Sequence, residues 1–260
     1  METAVGVPLL LRERRGVSPT PAGRTLQSHA LIVLQQVERM QSDLGDHASG
    51  VRGHVRMMCN TAAISDWLPE RLAEFLCAHP GVSIDLAERA SQEIVDAVRS
   101  NVCDIGVLGD SVDMTGLQTF LLGLDPLMVV MPHDHEWISR KHVSFAEVAH
   151  YQLVGLQAGS ALDDHLAGHA RRLGVRLVYR IRLRGFEAIC RMVGQGVGLG
   201  VIPKSAATRY ARSAKTKAIS LTDSWAGRGI VICVRDVQKL PTFVQQLIDM
   251  LRNPAADRRK

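Results

Sequence analysis

The stretch Gly194-Gln195-Gly196-Val197-Gly198-Leu199-Gly200-Val201-Ile202-Pro203 carries the strongest structural signal in this chain. Apolar residues at helical spacing predict a helix from Phe186 to Val193, directly before the stretch. Gly194 or Gly196 is expected to end that helix, because glycine adopts the left-handed cap conformation at little cost. Val197 to Ile202 is then predicted to form a short strand, whose glycines let another backbone or a ligand approach closely.

Packing alone could explain these glycines, and a tightly packed core strand is the alternative to a ligand contact. Pro203 fits the first turn of a helix over Lys204 to Tyr210, whose start presents free N–H groups to an anion. A dinucleotide-binding fingerprint is excluded, because its glycines follow a strand and open a helix. The helix–glycine–strand–proline unit closely resembles the effector-binding domain of LysR-type transcriptional regulators. That resemblance implies a regulator that senses a small molecule.

Composition indicates one large or two modest globular domains in 260 residues. Hydrophobic residues make up 46% of the chain and aromatic residues only 4%, so an aliphatic core is expected. No apolar run approaches the roughly 20 residues of a membrane span, and the first residues lack a secretory signal pattern. Five scattered cysteines are typical of buried thiols in a reducing compartment. A cytoplasmic protein without a membrane partner is therefore predicted.

The chain has a net charge of +5, but its charged residues are unevenly distributed along the sequence. Residues 53–132 carry four basic and eleven acidic side chains, a net charge of −7. Residues 133–217 carry fourteen basic and six acidic side chains, a net charge of +8. Residues 1–52 and 218–260 carry net charges of +1 and +3. The pattern predicts two lobes of opposite sign. The basic lobe favours a small anionic ligand, unless its arginines are only solvated surface charges.

The first twenty residues predict a hairpin that carries positive charge. Short apolar segments flank the basic residues Arg12, Arg14 and Arg15, as expected of two strands joined by a turn. Thr20 is a suitable N-cap for the next helix, and Pro21 suits the first position of that helix.

A long helix is predicted from residue 21 to about residue 44, followed by a cap and hinge up to residue 52. Its apolar residues follow a heptad spacing that forms one narrow seam with polar flanks. A dimerising coiled coil is the favoured interpretation, and a helix packed on its own domain is the alternative. The seam consists of Leu26, Ala30, Val33, Val37, Met40 and Leu44.

The segment from Val17 to Gly23 resembles the motif that follows the wing of the DNA-binding domain in LysR-type regulators, with Pro19 in place of the usual leucine. By this resemblance residues 1–20 are the remnant of a winged helix-turn-helix domain. Its wing arginines contact the DNA backbone in the family, a role that falls here on Arg12, Arg14 and Arg15. The family's preceding helices, including the recognition helix, are missing from this sequence. The expectation is an N-terminally truncated regulator, with promoter DNA as a partner only if those helices exist.

From residue 53 onward, strands and helices alternate in two series, which predicts parallel sheets covered by helices. The fold class is therefore α/β: a partial winged helix-turn-helix remnant and a linker helix, followed by a two-lobed effector domain. The resemblance implies that this domain is like a periplasmic binding protein. The chain is then expected to cross between the lobes near Met131-Pro132 and again within residues 220–229. Lobe I would span residues 53–131 and 230–260, and lobe II residues 132–229.

Ligands of open α/β sheets bind outside the carboxyl ends of the strands, which points to three segments facing a cleft. Asn60, Thr61, Gln157 and Ser160 offer hydrogen bonds there, although Asn60 and Ser160 could simply cap the helices that follow them. The resemblance places the co-inducer in the same cleft. The predicted ligand-binding residues are Asn60, Thr61, Ala62, Met131, Gln157, Ser160, Gly200, Val201 and Ile202.

Catalytic and metal-binding patterns are weak in this sequence. His165 and His169 have a spacing that can bind zinc, but no catalytic glutamate and no third ligand lie nearby in sequence. A nucleophile elbow, a phosphate loop and a plausible local triad are lacking. Neither an enzyme, nor a metal, nor a cofactor is expected.

Self-association is the remaining partner prediction. Effector domains of LysR-type regulators pair head to tail, so the resemblance implies that the acidic lobe of one copy faces the basic lobe of another, as a dimer or tetramer. Three alternatives stay open: a stand-alone binding protein of the periplasmic type, a fragment that acts only by heterodimerisation with intact relatives, and, third, an enzyme.

Overall fold

The protein divides into two compact units, Met1–His54 and Val55–Lys260, in a computed structural model. The structure describes residues 1–13, 16–27, 29–30, 33–34, 37, 40 and 53–253. Within these residues, no helix is long and apolar enough to cross a membrane.

The first unit contains the predicted hairpin and the start of the predicted long helix. Helix α1 spans Glu2–Val5, strands β1 and β2 span Leu10–Glu13 and Gly16–Pro19, and the two strands pair antiparallel. Helix α2 begins at residue 21, and the helical residues described are 21–27, 29–30, 33–34, 37 and 40.

Thr20 joins the hairpin to α2. Its hydroxyl accepts the N–H of Gly23 at 2.9 Å and donates to the carbonyl of Pro8 at 2.8 Å. Gly23 cannot carry a side chain here, because a Cβ atom would lie 2.0 Å from the carbonyl oxygen of Leu9. The N-cap predicted from the sequence is therefore confirmed, and it fixes the start of α2 against the hairpin.

The second unit contains three sheets, one in its first lobe and two in its second. The first lobe has a five-stranded sheet in the order β4-β3-β5-β13-β6. Its elements are β3 (Gly53–Cys59), a π-helix (Ala63–Trp67), α3 (Pro69–Ala78), β4 (Val82–Glu88), α4 (Ser91–Arg99), β5 (Ile105–Gly109), β6 (Gln118–Leu124), β13 (Gly229–Val234) and α9 (Thr242–Arg252).

The second lobe has a four-stranded sheet in the order β11-β7-β12-β8 and a two-stranded sheet of β9 and β10. A bridge between Leu153 and Leu199 joins the two. The elements are β7 (Leu127–Pro132), β8 (His142–Val143), α5 (Phe145–Val148), β9 (Gln152–Leu156), α6 (Ala161–Arg172), β10 (Val178–Leu183), α7 (Phe186–Gly194), β11 (Gly200–Pro203), α8 (Lys204–Ala214) and β12 (Thr216–Leu221).

Strand β5 shows why the first lobe needs helices on both faces of its sheet. All five of its residues are buried. Ile105 and Val107 belong to the main core, whereas Leu108 packs in a second cluster with Ile94 and Val98 of α4. A strand buried on both faces reads as a continuous apolar run, which is how the sequence predicted it.

The sheets are mixed rather than parallel. β3 and β5 are parallel as predicted, but β13 runs antiparallel to both β5 and β6, and β7 runs antiparallel to β11 and β12. β13 enters its sheet from the other lobe instead of through a covering helix, so the helix-alternation rule does not apply to it.

The chain crosses between the lobes at two places. It leaves the first sheet after Leu124 and joins the second at Leu127, so the first crossing is at Asp125-Pro126. The sequence placed this crossing near Met131-Pro132, but those residues end β7, which hydrogen-bonds within the second sheet. The return crossing lies between β12 and β13, at residues 222–228.

The glycine-rich stretch is packed against backbone. Gly196 takes the predicted left-handed conformation after α7, with φ of 75°. A Cβ atom on Gly194 would lie 1.9 Å from the carbonyl oxygen of Ala214, and one on Gly198 would lie 2.4 Å from that of Gln152. The strand that follows begins at Gly200, three residues later than predicted. Close backbone packing, the alternative to a ligand contact, accounts for these glycines.

Candidate functional site: the cleft between the lobes

A cleft of about 360 Å³ lies between the two lobes of the second unit. This volume is within the range of about 300–1,000 Å³ that small-molecule sites occupy. The first lobe contributes Asn60, Thr61, Glu88, Arg89, Ala90 and Glu93, and the second contributes Leu156, Gln157, Ala158, Gly159, Ser160, Ala161 and Arg184.

On the first lobe, Asn60 and Thr61 follow the carboxyl end of β3. Asn60 is 4% exposed, and its Oδ1 accepts the N–H of Ala63 at 2.9 Å, so it caps the helical segment that starts here. The Thr61 hydroxyl donates to Glu88 at 2.6 Å. Both residues line the cleft, and the capping role considered from the sequence is present beside that position.

On the second lobe, α6 begins at the cleft. Ser160 is its N-cap and accepts the N–H of Asp163 at 3.3 Å. The N–H groups of Ala161 and Leu162 have no carbonyl partner within the helix, because the first turn of any α-helix leaves its donors free. Ser160 and Ala161 line the cleft, so the positive end of α6 opens onto it.

The charged side chains of the cleft balance each other. Glu88 and Glu93 are acidic and Arg89 and Arg184 are basic, and all four are exposed. Glu93 also accepts the N–H of Ala90 at 3.2 Å, at the start of α4. Exposed charges are screened by solvent, so these four side chains give the cleft no strong charge of their own, and the start of α6 adds a local positive potential.

Five of the predicted ligand residues do not line the cleft. Ala62 is 4% exposed, and Met131 is fully buried in β7. Gly200, Val201 and Ile202 are buried in β11, where a Cβ atom on Gly200 would lie 2.8 Å from a methyl group of Val130. They are core residues: β7 and β11 pair with each other in the second sheet, and all four residues of β11 are buried.

Residues of the cleft that sequence reasoning missed are Glu88, Arg89, Ala90, Glu93, Leu156, Ala158, Gly159, Ala161 and Arg184. Glu88 ends β4 in the way that Asn60 follows β3. The rule that ligands bind outside the carboxyl ends of strands therefore applies to Glu88 as well, and it could have identified this residue.

A second set of polar residues joins the lobes, and we call it the interlobe latch: Asp66, Trp67, Asp125, Ser205 and Arg209. Asp125, which is 1% exposed, accepts hydrogen bonds from the Trp67 indole at 2.9 Å and from the N–H and hydroxyl of Ser205 at 3.0 and 2.7 Å. Asp66 forms an ion pair with Arg209 at 2.9 Å.

Burial governs the protonation of Asp66. Its side chain is only 1% exposed, and this burial raises its pKa to about 6, against the lowering effect of Arg209. Asp125 and Glu70 add to the rise by charge repulsion. The latch therefore contains a carboxylate that titrates near neutral pH.

The predicted dimerisation seam is exposed on α2 of the first unit. Val33 is 60% exposed, Val37 42% and Met40 55%, while Ala30 is exposed and Leu26 half-buried. Leu44 lies outside the described residues. An apolar stripe this exposed on one helix is typical of a surface that another helix covers.

Of the predicted DNA-backbone residues, Arg12 lies on β1, and Arg14 and Arg15 lie outside the described residues.

His165 and His169 are adjacent on α6, with ring centroids 4.7 Å apart. His169 stacks on Trp225 at 3.8 Å, so its ring is packed against an aromatic surface. Burial lowers the pKa of His165 to about 4, and the positive charges of His169 and Arg228 act in the same direction. Across the described part of the chain, no three His, Cys, Asp or Glu side chains are grouped as a metal site requires.

Comparison with known sequences identifies the second unit. The family described as "LysR substrate binding domain" matches residues 48–256. An uncharacterized HTH-type transcriptional regulator of Mycobacterium tuberculosis is 28% identical over 177 residues, which cover 66% of this chain and 57% of the relative. The probable HTH-type transcriptional regulator LrrA of Synechococcus elongatus is 27% identical over 210 residues, covering 80% of this chain and 69% of the relative. The match thus spans little more than half of the mycobacterial relative.

Solved structures share the fold. The regulatory domain of Synechocystis CcmR in complex with 2-PG has a TM-score of 0.69 at 18% identity and covers 80% of this chain and 99% of that one. Full-length CbnR with its target DNA has a TM-score of 0.69 at 18% identity, and the match covers 97% of this chain and 86% of that one. The effector-binding domain of QuiR in complex with shikimate has a TM-score of 0.62 at 14% identity, and the match covers 77% of this chain and 96% of that one. The two lobes are therefore those of a periplasmic-binding-protein-like effector domain.

Proposed function

This chain belongs to the LysR substrate binding domain family, and we propose on that premise that it senses a small organic anion as part of a transcriptional regulator. The relatives that it matches are named as transcriptional regulators rather than enzymes, which supports a role without catalysis. A regulator of this class would act in the cytoplasm, where promoter DNA is found.

The observation that carries the anion proposal is the meeting of two helix starts in one cleft. Helix α6 opens onto it after Ser160 with free N–H donors and the positive end of its dipole, and the short helical segment after Asn60 begins at the opposite wall. The QuiR domain, which has the same fold, was solved in complex with shikimate, a small carboxylate. Thr61, Gln157 and Ser160 would add hydrogen bonds that orient the ligand.

Ligand binding would change how the lobes are held. The cleft is formed by residues of both lobes, and only the crossings at residues 125–126 and 222–228 connect them covalently. A ligand that contacts both sides favours one arrangement of the lobes over others. In a regulator, that preference would alter the geometry of the DNA-bound oligomer.

Self-association and DNA contact complete the proposal. The exposed seam of Val33, Val37 and Met40 would pair with the same seam of a second copy, and Arg12, Arg14 and Arg15 would contact phosphates. The −7 and +8 net charges of residues 53–132 and 133–217 would guide head-to-tail pairing of effector domains. Size-exclusion chromatography in rising salt tests this pairing, and a dimer that is indifferent to salt contradicts it.

The ligand proposal is tested by blocking the cleft. Ala158 is exposed in the loop that lines the cleft, so Ala158→Trp places an indole in its mouth without disturbing the core. Isothermal titration of the full chain with sodium shikimate, sodium benzoate, sodium citrate and inorganic phosphate is expected to show saturable binding that Ala158→Trp abolishes.

Ala73→Trp is the matched control, because Ala73 is exposed on α3 and does not line the cleft. It should bind the same anions as the wild-type chain. Anion binding that survives in Ala158→Trp, or none in the wild-type chain, would contradict the proposed function.

A further inference from the structure

Arg228 lies at the return crossing, directly before β13, and only 5% of its surface is exposed. Its Nε and Nη2 atoms are buried and have no hydrogen-bond acceptor among the described residues. Burying a charged group without hydrogen bonds destabilises a fold unless something else completes the site. These unused donors therefore indicate a position for an anion.

The carboxylates near Arg228 are engaged elsewhere. Asp125 accepts three hydrogen bonds from the latch, and Asp110 accepts the N–H of Gly229 at 2.8 Å. Burial lowers the pKa of Arg228, while the negative charges of Asp125 and Asp110 act in the opposite direction. A guanidinium stays charged at neutral pH, so a positive charge with free donors persists at this crossing.

Gly109, at the carboxyl end of β5, leaves room for a methyl-sized group beside Nη1 of this guanidinium. The position of a Cβ atom on residue 109 lies 3.8 Å from Nη1 of Arg228 and 4.0 Å from Nδ2 of Asn60. Because Oδ1 of Asn60 is bound to the N–H of Ala63, Nδ2 is the end of the amide left for a ligand. Asn60 is the residue that connects the two places, because it lines the cleft and also borders the space over Gly109, whereas Gly109 and Arg228 do not themselves line the cleft.

We propose that Arg228 is the counter-ion of the effector: a carboxylate of a small organic acid occupies the space over Gly109 and accepts hydrogen bonds from the guanidinium and from the Asn60 amide. The inference rests on the proposed function and deepens it, since it names the ligand class and the residue that selects it. A guanidinium binds a carboxylate through two parallel N–H bonds, which an ammonium cannot do. The ligand charge is thereby held at one of the two crossings between the lobes.

Titration calorimetry of the full chain with sodium shikimate, sodium benzoate and inorganic phosphate tests this assignment. Arg228→Met removes the charge and keeps the aliphatic length, and the affinity for carboxylates should fall roughly tenfold or more. Gly109→Ala places a methyl group at ordinary contact distances of 3.8–4.0 Å, so the chain should fold while the space is filled. The same loss of affinity is expected.

Arg191→Met is the matched control, because the Arg191 side chain is 74% exposed on α7 and does not line the cleft. Loss in both test variants with an unchanged control supports the proposal. If Arg228→Met does not fold, Gly109→Ala decides alone, since it keeps the guanidinium in place.

Two outcomes separate this inference from the proposed function. Carboxylate binding that is unchanged in Gly109→Ala but abolished in Ala158→Trp overturns the role of Arg228 and leaves the cleft function standing. A wild-type chain that binds none of the probes overturns both. Binding of inorganic phosphate without binding of either carboxylate overturns the ligand class named here.

Discussion

The cleft and the interlobe latch both join the two lobes, yet their polar groups are used in opposite ways. In the latch, Asp125 accepts three hydrogen bonds from protein donors, while Asp66 has its ion pair with Arg209 and no hydrogen-bond partner among the described residues. At the cleft, the start of α6 presents free N–H donors, and Arg228, which borders the cleft residue Asn60 across the space over Gly109, has buried donors without acceptors among the described residues. Satisfied buried groups stabilise the folded chain, whereas unsatisfied ones are available for a ligand. Mutations in the latch should therefore change stability most, and mutations in the cleft should change binding most.

Asp125→Ala is expected to have the largest effect on stability. The change leaves the Trp67 indole and both Ser205 donors without acceptors. It also removes a negative charge that stabilises the positive charge of Arg228. We expect a loss of about 3–5 kcal/mol in the free energy of unfolding, measured by urea denaturation and far-ultraviolet circular dichroism. Asp249→Ala is the control, because that carboxylate is 71% exposed and should change stability by less than about 0.5 kcal/mol. Similar effects of the two variants would remove the distinction between latch and surface.

Asp66 should make the stability of the latch depend on pH. Its pKa is about 6 in the folded chain against 3.8 without the fold, so the folded state binds more protons between these values. The free energy of unfolding therefore falls as pH rises from about 4 to about 6, by up to about 3 kcal/mol, and this contribution is constant above that range.

Asp66→Asn cannot ionise and should lack this slope. Urea midpoints measured at several pH values for the wild-type chain and for Asp66→Asn give the difference directly. Two parallel curves would show that Asp66 has an ordinary pKa, and that burial in the latch does not control its charge.

Ser160→Ala should have a moderate effect that separates capping from binding. Removing an N-cap side chain costs about 1 kcal/mol of stability. Ser144 caps α5 in the same way, accepting the N–H of Glu147, but does not line the cleft. Both serine-to-alanine variants should lose similar stability in urea unfolding, while only Ser160→Ala should weaken the binding of sodium shikimate in calorimetry. Equal effects of both variants on binding would mean that Ser160 only caps its helix.

Local patterns in the sequence predicted most helices and buried strands, because their apolar spacing is set within a few residues. β6 was not predicted, since only one of its seven residues is buried and Leu124 is 74% exposed. Thr20 was predicted as a cap, and capping was the alternative considered for Asn60 and Ser160, because capping depends on neighbours within three residues.

Contacts between distant segments could not be predicted in this way. Asp125 and Ser205 are 80 residues apart, and Asp110 and Gly229 are 119 apart, so neither the latch nor the surroundings of Arg228 have a local pattern. The glycine signal was real but misassigned. Gly194 and Gly198 are in close contact with neighbouring backbone. The glycine that leaves space beside the cleft residue Asn60 is Gly109, which lies in an apolar strand predicted only as part of the core.

Glu88→Gln should have the smallest effect on stability and still separate the two regions. Glu88 is exposed and accepts the Thr61 hydroxyl at 2.6 Å, which a glutamine oxygen can also do. Stability should change by less than about 0.5 kcal/mol. Removing one negative charge from the rim of a site for anions should tighten the binding of sodium shikimate by roughly two- to fivefold, and added salt should shrink that gain because exposed charges are screened. Weaker binding would instead assign Glu88 a direct hydrogen bond to the ligand, and the cleft would then favour a ligand with donors over a simple anion.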